Sequence, residues 1–184
     1  LVFARQQGGA FQEIDLKTIF DRCILLMNHH AQMHSVELRT SCPDGIVLVC
    51  DPNQIQQALM ALMVNGIEAM SATRERPQGG TLTVSASTSK QPRPVVITVA
   101  DTGIGMSEEV KVHIFEPFFT TKSEGKGVGL GLAVVFGIIE RHHGWIDVES
   151  SVGQGATFTI TLPAAQPRDP DNESLQRSQE GVHI

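Results

Sequence analysis

The chain has 184 residues, 41% of them hydrophobic and 18% charged, with a formal net charge of −6. That length holds one domain of ordinary size, and the apolar share excludes a wholly disordered chain. The acidic balance, with no long basic run, excludes nucleic acid or an anionic membrane surface as the main partner.

Residues 1–10 close on Gly8-Gly9, and the opening Leu1 reads as the start of a fragment, a remnant of a dimerisation helix or a linker. From Leu16 to Met33 the apolar residues Leu16, Ile19, Phe20, Cys23, Leu26, Met27 and Ala31 recur at three-four spacing, which predicts an amphipathic helix. Val36 to Thr40 alternates as a strand, Cys42-Pro43-Asp44-Gly45 is a turn, and Ile46 to Val49 is a second strand. Asp51-Pro52 opens the next helix, with Asp51 as cap and Pro52 in the first helical position. This helix runs to about Met70, is apolar on most sides and is expected to be central and buried.

Thr81 to Ser87 and Val95 to Ala100 alternate as strands on either side of Pro92 and Pro94. The glycine-rich stretch 101–131 reads as a long functional loop with a short helix in it. Leu130 to Arg141 is a helix with Gly144 in the capping position, and Trp145 to Glu149 with Thr157 to Leu162 form a hairpin across Gly153-Gln154-Gly155. From residue 164 onward the composition is that of a disordered tail. The order of elements predicts an α/β two-layer sandwich, a mixed and mostly antiparallel sheet covered on one face by about three helices. The cysteines Cys23, Cys42 and Cys50 are odd in number and share no Cys-x-x-Cys spacing, so neither a disulfide framework nor a zinc site is expected and a reducing cytoplasm fits. No apolar stretch approaches the ~20 residues of a membrane helix, so direct membrane contact is not expected.

Three glycine clusters carry the chemistry. Asp101-Thr102-Gly103-Ile104-Gly105-Met106 follows a strand directly. A carboxylate there can accept from an exocyclic amine while the glycines allow close backbone approach; a tight turn with a capping Asp is the competing reading. Gly125 to Leu132 runs into a helix start, where N–H groups beside glycines form an anion cradle; a flexible loop is the alternative. Gly153-Gln154-Gly155-Ala156-Thr157-Phe158 also reads as a plain hairpin turn. Asn65, on the buried helix, is either a ligand or a satisfied structural amide.

In joint order, Asn65, Asp101-x-Gly-x-Gly, Phe115-Glu116-Pro117-Phe118-Phe119, Gly127-x-Gly-x-Gly and Gly153-x-Gly-Ala-Thr-x-Phe resemble the N, G1, F, G2 and G3 boxes of the sensor histidine kinase catalytic domain. That domain is one branch of the histidine kinase, gyrase and MutL ATPases, whose shared sandwich is the Bergerat fold. The resemblance spans residues 11–163. It implies an ATP site in which Asn65 holds Mg²⁺ against the phosphates and Asp101 accepts the adenine amine. Gly103, Ile104, Gly105 and Met106 pass the base, and Thr157 closes the pocket beside Asp101. Glu68 and Ala69 lie on the helix beyond Asn65, and Phe115 with Phe118 and Phe119 anchors a lid over residues 111–126. Gly127, Val128, Gly129, Leu130, Gly131 and Leu132 present backbone to the phosphates. Lys122 and Lys126 are the cations available to neutralise the phosphates, with solvated surface lysines as the alternative. The implied activity is transfer of the ATP γ-phosphoryl group to a histidine on a separate dimerisation domain, leaving ADP, and onward to a response regulator receiver domain.

Three positions depart from the family pattern. Ala61 stands where an Asn with a ligand atom is common, Glu68 where a basic residue sometimes sits, and Val128 where Thr is common. None of the seven histidines is followed by an acidic residue, so the phosphoacceptor lies outside this chain; His29, His30 and His34 read as solvated or packed helix imidazoles. The alternative function is a nucleotide-binding regulatory module with weak transfer, because Ala61 replaces that Asn.

Overall fold

The computed structural model describes residues 10–71, 79–88, 94–121 and 128–163. In chain order the elements are β1 (Gln12–Asp15), α1 (Leu16–Met33), β2 (Val36–Ser41), β3 (Val47–Cys50), α2 (Pro52–Ser71), β4 (Gly80–Thr88), β5 (Val95–Asp101), α3 (Glu108–His113), α4 (Gly131–Arg141), β6 (Trp145–Ser150) and β7 (Ala156–Leu162). Five strands form one sheet in the order β2-β4-β5-β7-β6. Only the β2–β4 pair is parallel; β4–β5, β5–β7 and β6–β7 are antiparallel. A separate antiparallel pair joins β1 to β3.

The sheet has one oily face and one hydroxyl-rich face, as period-two alternation dictates. Leu82, Val84, Val95, Ile97, Val99, Phe158 and Ile160 are buried beneath the helices. Thr81, Thr83, Ser85, Thr98, Thr157 and Thr159 alternate with them on the uncovered side. Helix α2 packs on β4 and β5, α4 on β6, and α1 on β2. This is the two-layer sandwich expected from the order of elements.

Helix α1 buries Leu16, Ile19, Phe20, Cys23, Met27 and Ala31, while Leu26 is 54% exposed. The apolar spacing predicts Leu26 on the buried stripe; it lies about 100° around the helix from Met27 and about 60° from Cys23, on the flank. Helix α2 is capped as its sequence predicts: Asp51 Oδ1 accepts from the N–H groups of Asn53 at 3.1 Å and Gln54 at 3.3 Å. Helix α4 ends in a Schellman arrangement, in which Gly144 N–H donates to Ile139 O at 3.0 Å and His143 N–H to Glu140 O at 2.9 Å. The left-handed residue there is His143 (φ 54), not Gly144 as expected. Gly144 answers a different need, since a Cβ on it would lie 2.5 Å from Thr161 O. Among the described residues no helix is long and apolar enough to cross a membrane.

Two ends of this sandwich differ. At one, the head of α2 meets the tail of α4 in a sealed core. At the other, the second half of α2, the end of β5 and the start of α4 diverge and leave a cleft.

Candidate functional site

Asp101 is the last residue of β5 and points to the helical side, pairing across the sheet with Ala156. Its Oδ1 accepts from Gly103 N–H at 2.8 Å and from Ala156 N–H at 3.3 Å. With two donors on one oxygen, Oδ2 is the oxygen left to meet a ligand. Burial pushes the Asp101 carboxyl above its ordinary value, and the two N–H groups pull against that shift. Gly66 lets α2 come this close, because a Cβ there would sit 2.8 Å from Leu82 Cδ1 and 3.2 Å from Asp101 Cβ.

The cleft measures about 850 Å³. Asn65, Glu68 and Ala69 line it from α2, Asp101, Ile104, Gly105 and Met106 from the end of β5, and Val128, Gly129, Leu130, Gly131 and Leu132 from the head of α4. The structure therefore brings together residues that lie far apart in the chain. A Cβ placed on Gly131 would be 3.9 Å from Asn65 Nδ2, so the start of α4 faces Asn65 closely enough for an added methyl to touch it. No side chain caps α4, whose cap residue is Leu130, and this helix start, the positive end of its dipole, borders the cleft.

Several expected site residues stand elsewhere. Thr157 does not line the cleft: it pairs with Ala100 on the uncovered face, and its neighbours Ala156 and Phe158 line the cleft instead. A one-residue slip along a strand exchanges the faces, and that slip separates expectation from structure. Gly103 does not line the cleft and Gly105 does, and close protein packing requires glycine at both. A Cβ on Gly103 would be 2.8 Å from Ala69 Cβ, and Gly105 (φ +64) would drive one to 1.9 Å from Ser151 O. Phe115 packs on Phe136 of α4 at 5.6 Å between ring centroids, outside the cleft. Phe119 lines the cleft, and Phe118, at φ 67, is 71% exposed, so the three phenylalanines do not share one burial site. Lys122, Lys126 and Gly127 lie outside the described residues. Ala61 packs partly buried against the core, one turn before Asn65.

Beyond the expected site and lid, His34, Ser71 and Val110 also line the cleft, and Ile114, Thr120 and Thr121 line it from within the stretch expected as the lid. Val110 and Ile114 carried a usable signal, an apolar spacing on the short helix inside the glycine-rich stretch. His34 carried none, since it arrives from α1 through tertiary packing.

Residues 50–166 match the family described as histidine kinase-, DNA gyrase B-, and HSP90-like ATPase. The chain belongs to this family. Within it, the likeness is to the ATP-binding catalytic domains of histidine kinases. Sporulation kinase E of Bacillus subtilis (strain 168) is 38% identical over 167 residues, which are 90% of this chain and 21% of that protein. Sensor histidine kinase ZraS of Escherichia coli (strain K12) is 39% identical over 155 residues, 84% of this chain and 31% of that one. The chain thus spans about a fifth to a third of these relatives. The nucleotide-free catalytic domain of histidine kinase ThkA superposes with a TM-score of 0.72 at 27% identity, covering 85% of this chain and 97% of that one. ThkA in complex with response regulator TrrA superposes at 0.67 with 25% identity, over 84% of this chain and 42% of that one.

For this ATPase domain the donor set is compatible with Mg²⁺ held jointly with a nucleotide. Asn65 offers one half-buried amide oxygen at the cleft wall, and a hard cation takes the rest of its oxygens from phosphate and water. Among the described residues no cluster of three His, Cys, Asp or Glu side chains could hold a metal by itself.

Proposed function

We propose that residues 11–163 bind ATP in this cleft and deliver its γ-phosphoryl group to a histidine on a dimerisation domain outside this chain, for onward passage to a response regulator receiver domain. The observation that carries the reading is Asp101: a buried carboxylate with one oxygen saturated by backbone and the other at the floor of a cleft that ends in a helix N-terminus. The open oxygen selects an amine-bearing base, and the α4 head takes the phosphates. The proposed domain is wider than the matched 50–166 because α1 packs on α2 and closes its buried side.

In the transfer, a neutral imidazole nitrogen forms the new N–P bond while the bond from the γ-phosphorus to the bridging oxygen breaks and ADP leaves. The attacking nitrogen is already nucleophilic, so the domain contributes position and charge neutralisation rather than a base. Asn65 would hold Mg²⁺, which screens phosphate charge when bound. Lys122 and Lys126 are the cations proposed to assist, and Glu68 lines the cleft wall.

Calorimetric titration with a non-hydrolysable ATP analogue, with and without Mg²⁺, tests this. Micromolar binding strengthened by Mg²⁺ is expected. Binding indifferent to Mg²⁺ would favour the regulatory-module reading, in which Ala61 has cost the metal its second protein ligand. Rescue of metal dependence by Ala61→Asn would then follow.

A further inference from the structure

The cleft continues past the residues of the family motifs to His34, at the C-terminal cap of α1. Although exposed, this side chain is held from three sides. Its Nδ1 lies 2.8 Å from Ser71 Oγ, and the Ser71 hydroxyl donates to Ile67 O at 2.8 Å. With that proton committed, Ser71 accepts and His34 Nδ1–H donates. The His30 ring packs behind at 4.8 Å between centroids, tilted by 60°. The backbone turns away at Ser35, a non-glycine residue at φ 56, with Gly79 seated so close that a Cβ on it would be 1.6 Å from Ser35 O. Left-handed backbone at a non-glycine residue persists only where its surroundings impose it.

Position along α2 says which part of a ligand His34 meets. Asn65 faces the α4 head, where the phosphates go. Ser71 is six residues further, about 9 Å along the helix axis. Between them Ala69 has only a methyl group and is fastened to the β5 loop through Ile104 N–H, which donates to Ala69 O at 3.4 Å. The trough therefore runs from the α4 head past Asp101 and Ala69, and His34 stands at its far end with Nε2 and a ring face uncommitted to Ser71.

We propose that His34 is the outer wall of the nucleoside half of the site, its imidazole lying against the adenine and ribose that Ala69 leaves uncovered. This rests on the ATP-binding reading above. The residue sets affinity for the nucleoside and leaves the phosphate end alone.

The test is competitive binding of adenosine, ADP and an ATP analogue to the wild type, His34→Ala, His34→Phe and Ser71→Ala. His34→Ala should weaken all three ligands by the same factor, about three- to tenfold, the range of a lost aromatic contact. His34→Phe, which keeps a flat ring, should recover most of that loss, and Ser71→Ala, which releases the tether, should lose less than His34→Ala. Unchanged affinities in His34→Ala, or a loss confined to the phosphate-bearing ligands, would overturn the proposal. Asp101→Asn separates the two readings: if it abolishes binding while His34→Ala does nothing, only the His34 wall fails. If the wild type binds no adenine nucleotide, both fall.

Discussion

Two aspartates, Asp51 at the head of α2 and Asp101 at the end of β5, each commit Oδ1 to a pair of backbone N–H groups. They part company at Oδ2. Asp51 is 1% exposed, and its second oxygen is sealed in the interior with no hydrogen-bond partner among the described residues. Asp101 is 9% exposed, and its second oxygen opens on the cleft. The rest of Asp51's surroundings are knitted to protein: its own N–H donates to His142 Nε2 at 3.0 Å, and His142 Nδ1–H donates to Ile138 O at 2.7 Å. Phe11 covers the same imidazole at 4.8 Å. The pair of carboxylates shows that burial and backbone hydrogen bonding do not by themselves mark a ligand site. The fate of the remaining oxygen does.

The largest effect should come from the sealed end. His142 is fully buried and both ring nitrogens are bonded, so His142→Ala leaves a cavity and unpairs the Asp51 N–H, while the Ile138 carbonyl keeps only the backbone N–H of residue 142 at 3.2 Å. Urea unfolding should show a loss of about 2–4 kcal/mol, with nucleotide affinity of the folded fraction unchanged. A loss of affinity with intact stability would mean that the sealed end is wired into the site and would break the contrast. At the open end the signs exchange. Asp101→Asn should weaken adenine nucleotide binding by about 1–3 kcal/mol while moving the unfolding midpoint little, as read by parallel titration and melting. Unchanged affinity would remove Asp101 from the base pocket.

Acid should act on the two ends in opposite directions. Burial holds His142 below its ordinary pKa of 6.5, with the Ile138 carbonyl and the Asp51 charge opposing and Arg141 and His143 assisting. As pH falls, the unfolded chain takes up that proton first. The stability His142 contributes is therefore complete above about pH 6.5 and is lost as pH falls through the window between that value and the lower folded one. Unfolding measured at pH 7.5 and 5.5 should show this slope, and His142→Gln should flatten it. Asp101, pushed above 3.8, behaves the other way: the folded state takes its proton first, so protonation there favours folding. The same proton cancels the acceptor proposed for the adenine amine. Nucleotide affinity should therefore fall at a higher pH than an ordinary carboxylate would give, while Asp101→Asn loses that dependence.

The periodic elements were legible and the pairings between them were not. Helix α1 runs over the residues its apolar spacing predicts, because burial against one sheet imposes a 3.6-residue repeat on composition. Strand β1 left no such trace: Gln12–Asp15 has a single apolar residue, Ile14, and exists through its pairing with β3. Asp101 and Asn65 were readable as a pair by the order of motifs. Thr157 was misplaced, because which residue of a hairpin faces Asp101 depends on register, and register is a property of two strands. His143 was unreadable for a similar reason, since its left-handed backbone is imposed by the two Schellman bonds and no turn residue announces it.

Within the proposed phosphate cradle the contrast repeats at its smallest scale. Gly129 and Gly131 share one motif but answer different constraints. Gly129 sits at φ +71, and a Cβ on it would lie 2.5 Å from the Phe118 carbonyl carbon and 2.6 Å from Phe119 O. It holds the segment carrying Phe119 against the head of α4, where Phe118 N–H donates to Gly129 O at 2.8 Å. Gly129→Ala should cost about 1–2 kcal/mol of stability from the left-handed backbone alone. Gly131 is in the first turn of α4 with ordinary backbone, and the atom nearest an added methyl is Asn65 Nδ2 at 3.9 Å. Gly131→Ala should leave stability unchanged or raise it by about 0.5–1 kcal/mol, the helical preference of alanine over glycine. Its methyl group would still project toward the phosphates and Asn65, so affinity for an ATP analogue should drop while affinity for adenosine holds. If Gly131→Ala binds both ligands as the wild type does, the phosphates do not lie between Asn65 and the α4 head.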